Sequence, residues 1–265
     1  MARIDIELVN RGFFDTRSRA QYAIKSGIVL CNGVKVLKNS LLINDSDNIT
    51  IVGNKMPYVS RGGLKLEKAI NLFNINFENK NMIDIGSSTG GFSDCALKHN
   101  VKSILAIDVG SLQFSPKLRQ NDNIILMENT DFRFIDNKLL NGYTIATIDV
   151  SFISAIKLIS KISEITDLNE IVLLVKPQFE VGIELAKKYN GVIIDRGAHN
   201  YVLKKIIKEF NLINFYVCGL TFSPIKGGSG NIEYLIYFKK NAGLNYKVNI
   251  EEIINDAFTT LVNRN

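Results

Sequence analysis

From Met82 to Lys176 the chain repeats one pattern, a short apolar β-rich run followed by a helical stretch, and this constrains its fold more than anything else. The runs fall at 82–85, 103–108, 123–127, 144–149 and 171–176. Continuous apolar runs bounded by turn residues are what strands buried on both faces look like. Their alternation with helical segments predicts a parallel sheet with helices on both faces, because parallel neighbours need a crossover connection. Two last runs, 216–222 and 232–238, are joined by Pro224-Ile225-Lys226-Gly227-Gly228-Ser229-Gly230. That link is too short for a crossover helix, so an antiparallel closing pair is expected. The fold class that follows is α/β: a doubly wound, Rossmann-like sheet, mostly parallel with an antiparallel last strand.

The first 57 residues read differently. A helix is expected over Ile4 to Arg11, closed by Gly12, and a second from N-cap Thr16 to Ser26, closed by Gly27. Ile28 to Val36 holds two apolar runs around Asn32-Gly33, the strongest short hairpin signal, and Ile49 to Val52 adds a strand. Gly53-Asn54-Lys55-Met56-Pro57 lacks periodicity and reads as a connection. The expected organisation is a small α+β domain over 1–57, a linker over 58–63, and the large domain over 64–265, opening on a helix with Leu66, Ala69, Ile70 and Phe73 on one face.

Charge is unevenly spread. The net charge is +6, and residues 1–62 carry nine Lys or Arg against five Asp or Glu. Arg17, Arg19, Lys25, Lys35 and Lys38 are therefore candidates for phosphate contacts that carry no sequence information. Charged residues or Asn interrupt every apolar run well before a membrane-spanning length, and Asp5 and Glu7 argue against a signal peptide. Cys31, Cys95 and Cys218 are odd in number and widely spaced, which points to a reducing cytoplasm rather than a disulfide framework. Neither His99 nor His199 has a metal-ligand spacing to a partner, so no metal is expected.

The chemistry concentrates at strand ends. Met82-Ile83-Asp84-Ile85-Gly86-Ser87-Ser88-Thr89-Gly90-Gly91-Phe92 runs from a strand through a glycine turn into a helix, which brings backbone close to a bound nucleotide. Asp108 ends the next strand, where an acid can accept hydrogen bonds from ribose hydroxyls. The spacing is Gly-x-x-x-Gly-Gly rather than Gly-x-Gly-x-x-Gly, which favours S-adenosylmethionine, with no pyrophosphate to cradle, over a dinucleotide. Asp149 and Lys176 end further strands, so both should open at the carboxyl edge of the sheet. Lys176 is placed to serve as a general base toward a ribose hydroxyl with Asp149 orienting it, and Lys65 and Glu233 are candidates to complete the group.

Five segments in order resemble the TlyA family, whose members carry the names haemolysin and ribosomal RNA 2′-O-methyltransferase. Arg3-Ile4-Asp5, Ser18-Arg19-Ala20, Gly27 and Asn32-Gly33 are similar to the small RNA-binding domain named after ribosomal protein S-four. Arg61 to Leu66, Asp84 to Asp94, Asp149 to Ser154, Val175 to Glu180 and Gly228 to Glu233 are similar to FtsJ-type ribose methyltransferases. The resemblance implies a catalytic Lys-Asp-Lys-Glu group at Lys65, Asp149, Lys176 and Glu233, with Lys176 nearest the 2′-hydroxyl. It implies cofactor contacts at Asp84, Gly86, Asp108 and Asp131, to which the glycine turn (Ser87, Ser88, Gly90, Gly91, Phe92), Val109 and Asp149 are added. Arg3 and Arg61 join the expected RNA contacts, and the implied target is a cytidine of ribosomal RNA or a ribosomal subunit. Asp108-Val109-Gly110-Ser111-Leu112-Gln113-Phe114 departs from the family's usual Gly-Gln-Leu wording. Two rival functions are a membrane-active haemolysin, which lacks a spanning or cationic amphipathic segment, and a ribosome-assembly factor without catalysis, against which all four tetrad positions are filled.

Overall fold

The structure is a computed structural model that describes residues 1–53, 56–242 and 248–262. It divides into two compact units, Met1–Arg61 and Gly62–Asn265. Asn54 and Lys55 of the expected connection lie outside the described residues.

The first unit contains β1 (Ala2–Arg3), α1 (Ile4–Asn10), α2 (Arg17–Lys25), β2 (Val29–Cys31), β3 (Val34–Lys35), β4 (Leu42–Ile43) and β5 (Ile49–Ile51). Gly12 and Gly27 take φ of +74° and +70° just past the helices, and the Thr16 side chain accepts the Arg19 amide. Asn32 and Gly33 both have positive φ and set β2 antiparallel to β3 with Cys31 opposite Val34, as an Asn-Gly hairpin requires. Ile4, Leu8, Ala20, Ala23, Ile24, Val29 and Ile49 form its core. The two-residue pair of β1 with β4 was not expected. Strands this short leave no periodicity to read.

The second unit contains α3 (Gly62–Phe73), β6 (Asn81–Ile85), α4 (Gly91–Lys98), β7 (Ser103–Ile107), α5 (Pro116–Arg119), β8 (Ile124–Met127), β9 (Ile145–Ile148) and α6 (Ile159–Ser163). There follow β10 (Glu170–Val175), α7 (Pro177–Glu180), α8 (Ile183–Lys188), α9 (Arg196–Asn211), β11 (Phe215–Phe222), β12 (Tyr234–Lys240) and α10 (Ile250–Val262). The seven strands lie in the order β11-β12-β10-β9-β6-β7-β8. All neighbours from β10 to β8 are parallel, and β12 runs antiparallel to both β10 and β11. The expected doubly wound sheet is therefore present, and its single reversed strand sits inside the sheet rather than at its edge.

Side chains at alternate positions, Ile83, Ile85, Leu105, Ile107, Ala146, Ile148, Leu173 and Val175, share one core with Val202, Ile206 and Phe210 of α9. The other positions of the same strands, Met82, Ile104, Ala106, Val172 and Leu174, are buried too. That is why these strands read as unbroken apolar runs. Chain order reverses between β6 and β9, so a crevice opens there beyond the carboxyl ends. The register Ile85↔Ile107 and Ile85↔Ile148 brings Gly86, Asp108 and Asp149 out at one level of that edge.

Candidate active site

A cleft of about 630 Å³ lies at this switch point, walled by Gly86, Ser88, Ile107, Asp108, Gly110, Thr130, Asp131, Phe132, Asp149, Val150, Ser151 and Phe152 among others. Asp108 organises its floor: one carboxylate oxygen accepts the Ser88 amide and the other the Gly110 amide, each at 2.7 Å. Asp131 caps the short helical turn Phe132–Phe134 and is paired with Arg133, whose hydrogen bonds hold its carboxyl below the usual range. Three carboxylates and several apolar side chains thus share one wall. That chemistry suits a nucleoside with ribose hydroxyls and a positive centre, and it opposes a bound pyrophosphate. The residues present fit S-adenosylmethionine on this ground.

The glycine turn also packs against the neighbouring strand-end loop. Gly86 has φ +83°, and a Cβ there would lie 2.7 Å from the Asp149 carbonyl oxygen. Its hydrogen makes room for the neighbouring strand-end loop. Gly90 packs beneath Phe114 and Leu118, while Ser87, Gly91 and Phe92 are buried. These four residues do not reach the cleft wall, whereas Gly86, Ser88, Asp108, Val109, Asp131 and Asp149 do.

Asp84 also lies away from the wall, because it is completely buried. Its oxygens accept Ser93 Oγ at 2.6 Å and Thr147 Oγ1 at 2.8 Å, which ties β6 to α4 and β9. Burial pushes its carboxyl up to about 6, against the pull of those two hydrogen bonds and with a smaller push from Asp149. Between the ordinary carboxylate pKa and that value, the folded chain keeps a proton the unfolded chain releases, so this group's contribution to stability falls as pH rises. Asp84→Asn removes that slope. Urea unfolding of both proteins from pH 4 to 7 should show their stability difference changing by about 2 kcal/mol in favour of the variant. A pH-independent difference would contradict the assignment. His199, buried between Tyr234 OH and the Ile193 carbonyl with its pKa lowered by burial, has the opposite slope, and it cancels in the comparison.

The four tetrad candidates form two ion pairs. Lys176, just past β10, places Nζ 2.6 Å from Asp149 Oδ1 and donates to Ser151 Oγ at 2.7 Å. Lys65, on α3, places Nζ 2.6 Å from Glu233 Oε2. Val175 pairs with Tyr234, so Lys176 and Glu233 are the next residues outward on adjacent strands. Lys65, Lys176 and Glu233 are all nearly buried. Gly227 packs against Glu233, since a Cβ there would meet Oε1 at 2.4 Å. Asp149 and Ser151 belong both to the Lys176 cluster and to the cleft wall. Sequence reasoning missed Ser151, Thr130 and Phe132; a serine three positions past a strand end gives no signal until its partner is seen.

In the first unit, Arg3 and Arg17 both bind the buried Asp5, with Gln21 as a further donor. Arg19 pairs with Asp15 and donates to the Met56 carbonyl. Three of the expected RNA-binding arginines thus have structural partners, and Arg17 is exposed, as are Lys25, Lys35, Lys38 and Arg61.

Together these features define a doubly wound transferase-type domain with a cleft beside a lysine–carboxylate cluster. The chain belongs to the FtsJ-like methyltransferase family, which residues 58–240 match, and residues 2–49 match the S4 domain. It is 45% identical over 240 residues to YqxC of Bacillus subtilis, which bears the name of an rRNA methyltransferase, covering 89% of this chain and 84% of that one. It is 36% identical to the 23S rRNA (cytidine-2′-O)-methyltransferase TlyA of Campylobacter jejuni, covering 85% of this chain and 95% of that one. A solved structure from Streptococcus thermophilus described as a hemolysin superposes with TM-score 0.77 at 38% identity, covering 97% of this chain and 96% of that one. Among the described residues no helix is long and apolar enough to cross a membrane.

Proposed function

We propose that this methyltransferase uses S-adenosylmethionine to methylate the ribose 2′-hydroxyl of a cytidine in ribosomal RNA. The observation that carries this reading is the double role of Asp149 and Ser151, which hold Lys176 Nζ and also line the nucleoside cleft. The cofactor supplies a methyl group on a sulfonium, open to in-line attack. Asp108 would accept hydrogen bonds from the cofactor's ribose hydroxyls, and Ile107 and Phe132 would hold its base. Lys176 orients the acceptor hydroxyl and takes or stabilises its proton as the oxygen attacks, with Asp149 beside the Nζ. The Lys65–Glu233 pair keeps the neighbouring strand end charge-balanced. Alignment of the two substrates is the largest contribution.

The C. jejuni relative's cytidine 2′-O specificity and the S4 match over residues 2–49 support the RNA acceptor. In this reading the first unit, Met1–Arg61, docks RNA through its exposed Arg17, Lys25, Lys35, Lys38 and Arg61, and the reaction belongs to the cytoplasm. The test is incubation of purified protein with ribosomal subunits and methyl-labelled cofactor, followed by nucleoside mass spectrometry. The expected product is 2′-O-methylcytidine. Label on a base, or no label in RNA, would refute the reading.

A further inference from the structure

Glu180 belongs to neither ion pair, yet it is a carboxylate only 6% exposed, at the end of α7, four residues past Lys176. A buried carboxylate is unfavourable unless donors meet it, and here burial pushes its pKa up. Its Oε1 accepts the Ala155 amide at 2.8 Å and its Oε2 accepts the Ser154 hydroxyl. Lys205 of α9 adds a favourable charge. Both donors lie on the loop that follows β9, the one that carries Asp149, Ser151 and Phe152.

The short segment 176–180 therefore meets that loop rung by rung. Lys176 holds Asp149 and Ser151, the Phe179 ring lies 5.2 Å from the Phe152 ring, and Glu180 holds Ser154 and Ala155. Between the two polar rungs, Phe152 has φ +64° and is 91% exposed. Such backbone persists only where its surroundings enforce it. With Glu180 removed, the loop would be held at its Lys176 end and released at the other, and the partners that aim the Lys176 amine would drift.

We propose that Glu180 is a positioning residue for methyl transfer, clamping the 149–155 loop so that Asp149 and Ser151 hold the Lys176 amine in line. The proposal rests on the reading that Lys176 serves the acceptor hydroxyl. Glu180→Ala should lower the single-turnover methylation rate at saturating cofactor and RNA by about 10²-fold, the scale of a 1 Å misplacement. Glu180→Gln can still accept from Ala155 and donate to Ser154, and should stay within about threefold of wild type. If the alanine variant does not fold, Glu180→Asp, one methylene too short, should fall in the same direction. The chain has no tryptophan, so Phe152→Trp installs a sole indole on the loop. In that background Glu180→Ala should raise acrylamide quenching and lower anisotropy, and Glu180→Gln should not. Near-wild-type rates for the alanine or aspartate variant, a glutamine variant that falls as far as alanine, or an indole indifferent to Glu180 would each overturn the clamp. A wild type that methylates no RNA would instead overturn the function reading, and the indole would then decide the clamp alone.

Discussion

Lys176→Ala is expected to lower methyl transfer by at least about 10³-fold while leaving the cofactor dissociation constant within about threefold of wild type. The separation follows from where the side chain stands. Lys176 is not among the residues that wall the cleft, whereas its partners Asp149 and Ser151 are. On the proposed mechanism, truncation removes the group that orients the acceptor hydroxyl and takes its proton. It leaves Asp108, Thr130, Asp131 and Phe132 in the cleft wall untouched. Lys176→Arg should not rescue turnover, because a guanidinium stays protonated. Calorimetric titration with the cofactor and single-turnover methylation check the two halves independently. Wild-type turnover by Lys176→Ala would remove the lysine from the mechanism, and a parallel loss of cofactor affinity would recast it as a binding residue.

Much of this arrangement is legible before any coordinates exist, for a physical reason. Strands β6, β7, β9 and β10 are buried on both faces, so each appears as an apolar run ending in a polar residue at the sheet's edge. Asp108, Asp149 and Lys176 stand out because a charge directly after such a run can only emerge there. The hairpin at Asn32-Gly33 and the helix ends at Gly12 and Gly27 are legible because positive φ restricts which residues serve.

What stays hidden is the direction each side chain takes. Asp84 and Asp108 both belong to strand-end motifs, yet the first is completely buried under Ser93 and Thr147 and the second lines the cleft. An apolar run cannot report that its one acid faces α4. The pairing of Glu180 with Ser154 joins residues 26 apart in sequence, and that of Lys65 with Glu233 joins residues 168 apart. Contacts of that range follow from strand order, above all from β12 inserting beside β10, rather than from local pattern. The arginines of the first unit show the same limit: Arg3 and Arg17 count toward basic charge in the sequence, while in the fold Asp5 binds both.

Gly86→Ala is the second substitution with a large expected effect, and it tests the close approach of the two strand-end loops directly. A Cβ at Gly86 would lie 2.7 Å from the Asp149 carbonyl oxygen, 3.0 Å from its carbon and 3.2 Å from Val150 Cα. All three are backbone atoms, so no side-chain rotation relieves the clash. The loop must move, and with it Asp149 and Ser151, the residues shared by the cleft and the Lys176 cluster. Positive φ adds about 1–2 kcal/mol for any residue with a side chain. The variant should therefore lose about 2–4 kcal/mol of stability, weaken cofactor binding at least about tenfold and lower turnover further. Gly142→Ala supplies the control, because Gly142 has φ +79° with nothing within 4 Å of its Cβ position and does not line the cleft. It should show the backbone cost alone, with cofactor affinity and turnover intact. If both variants lose the same stability and both keep wild-type affinity, the contact between the β6 and β9 loops does not shape the site, and the glycine would then serve only to reverse the chain.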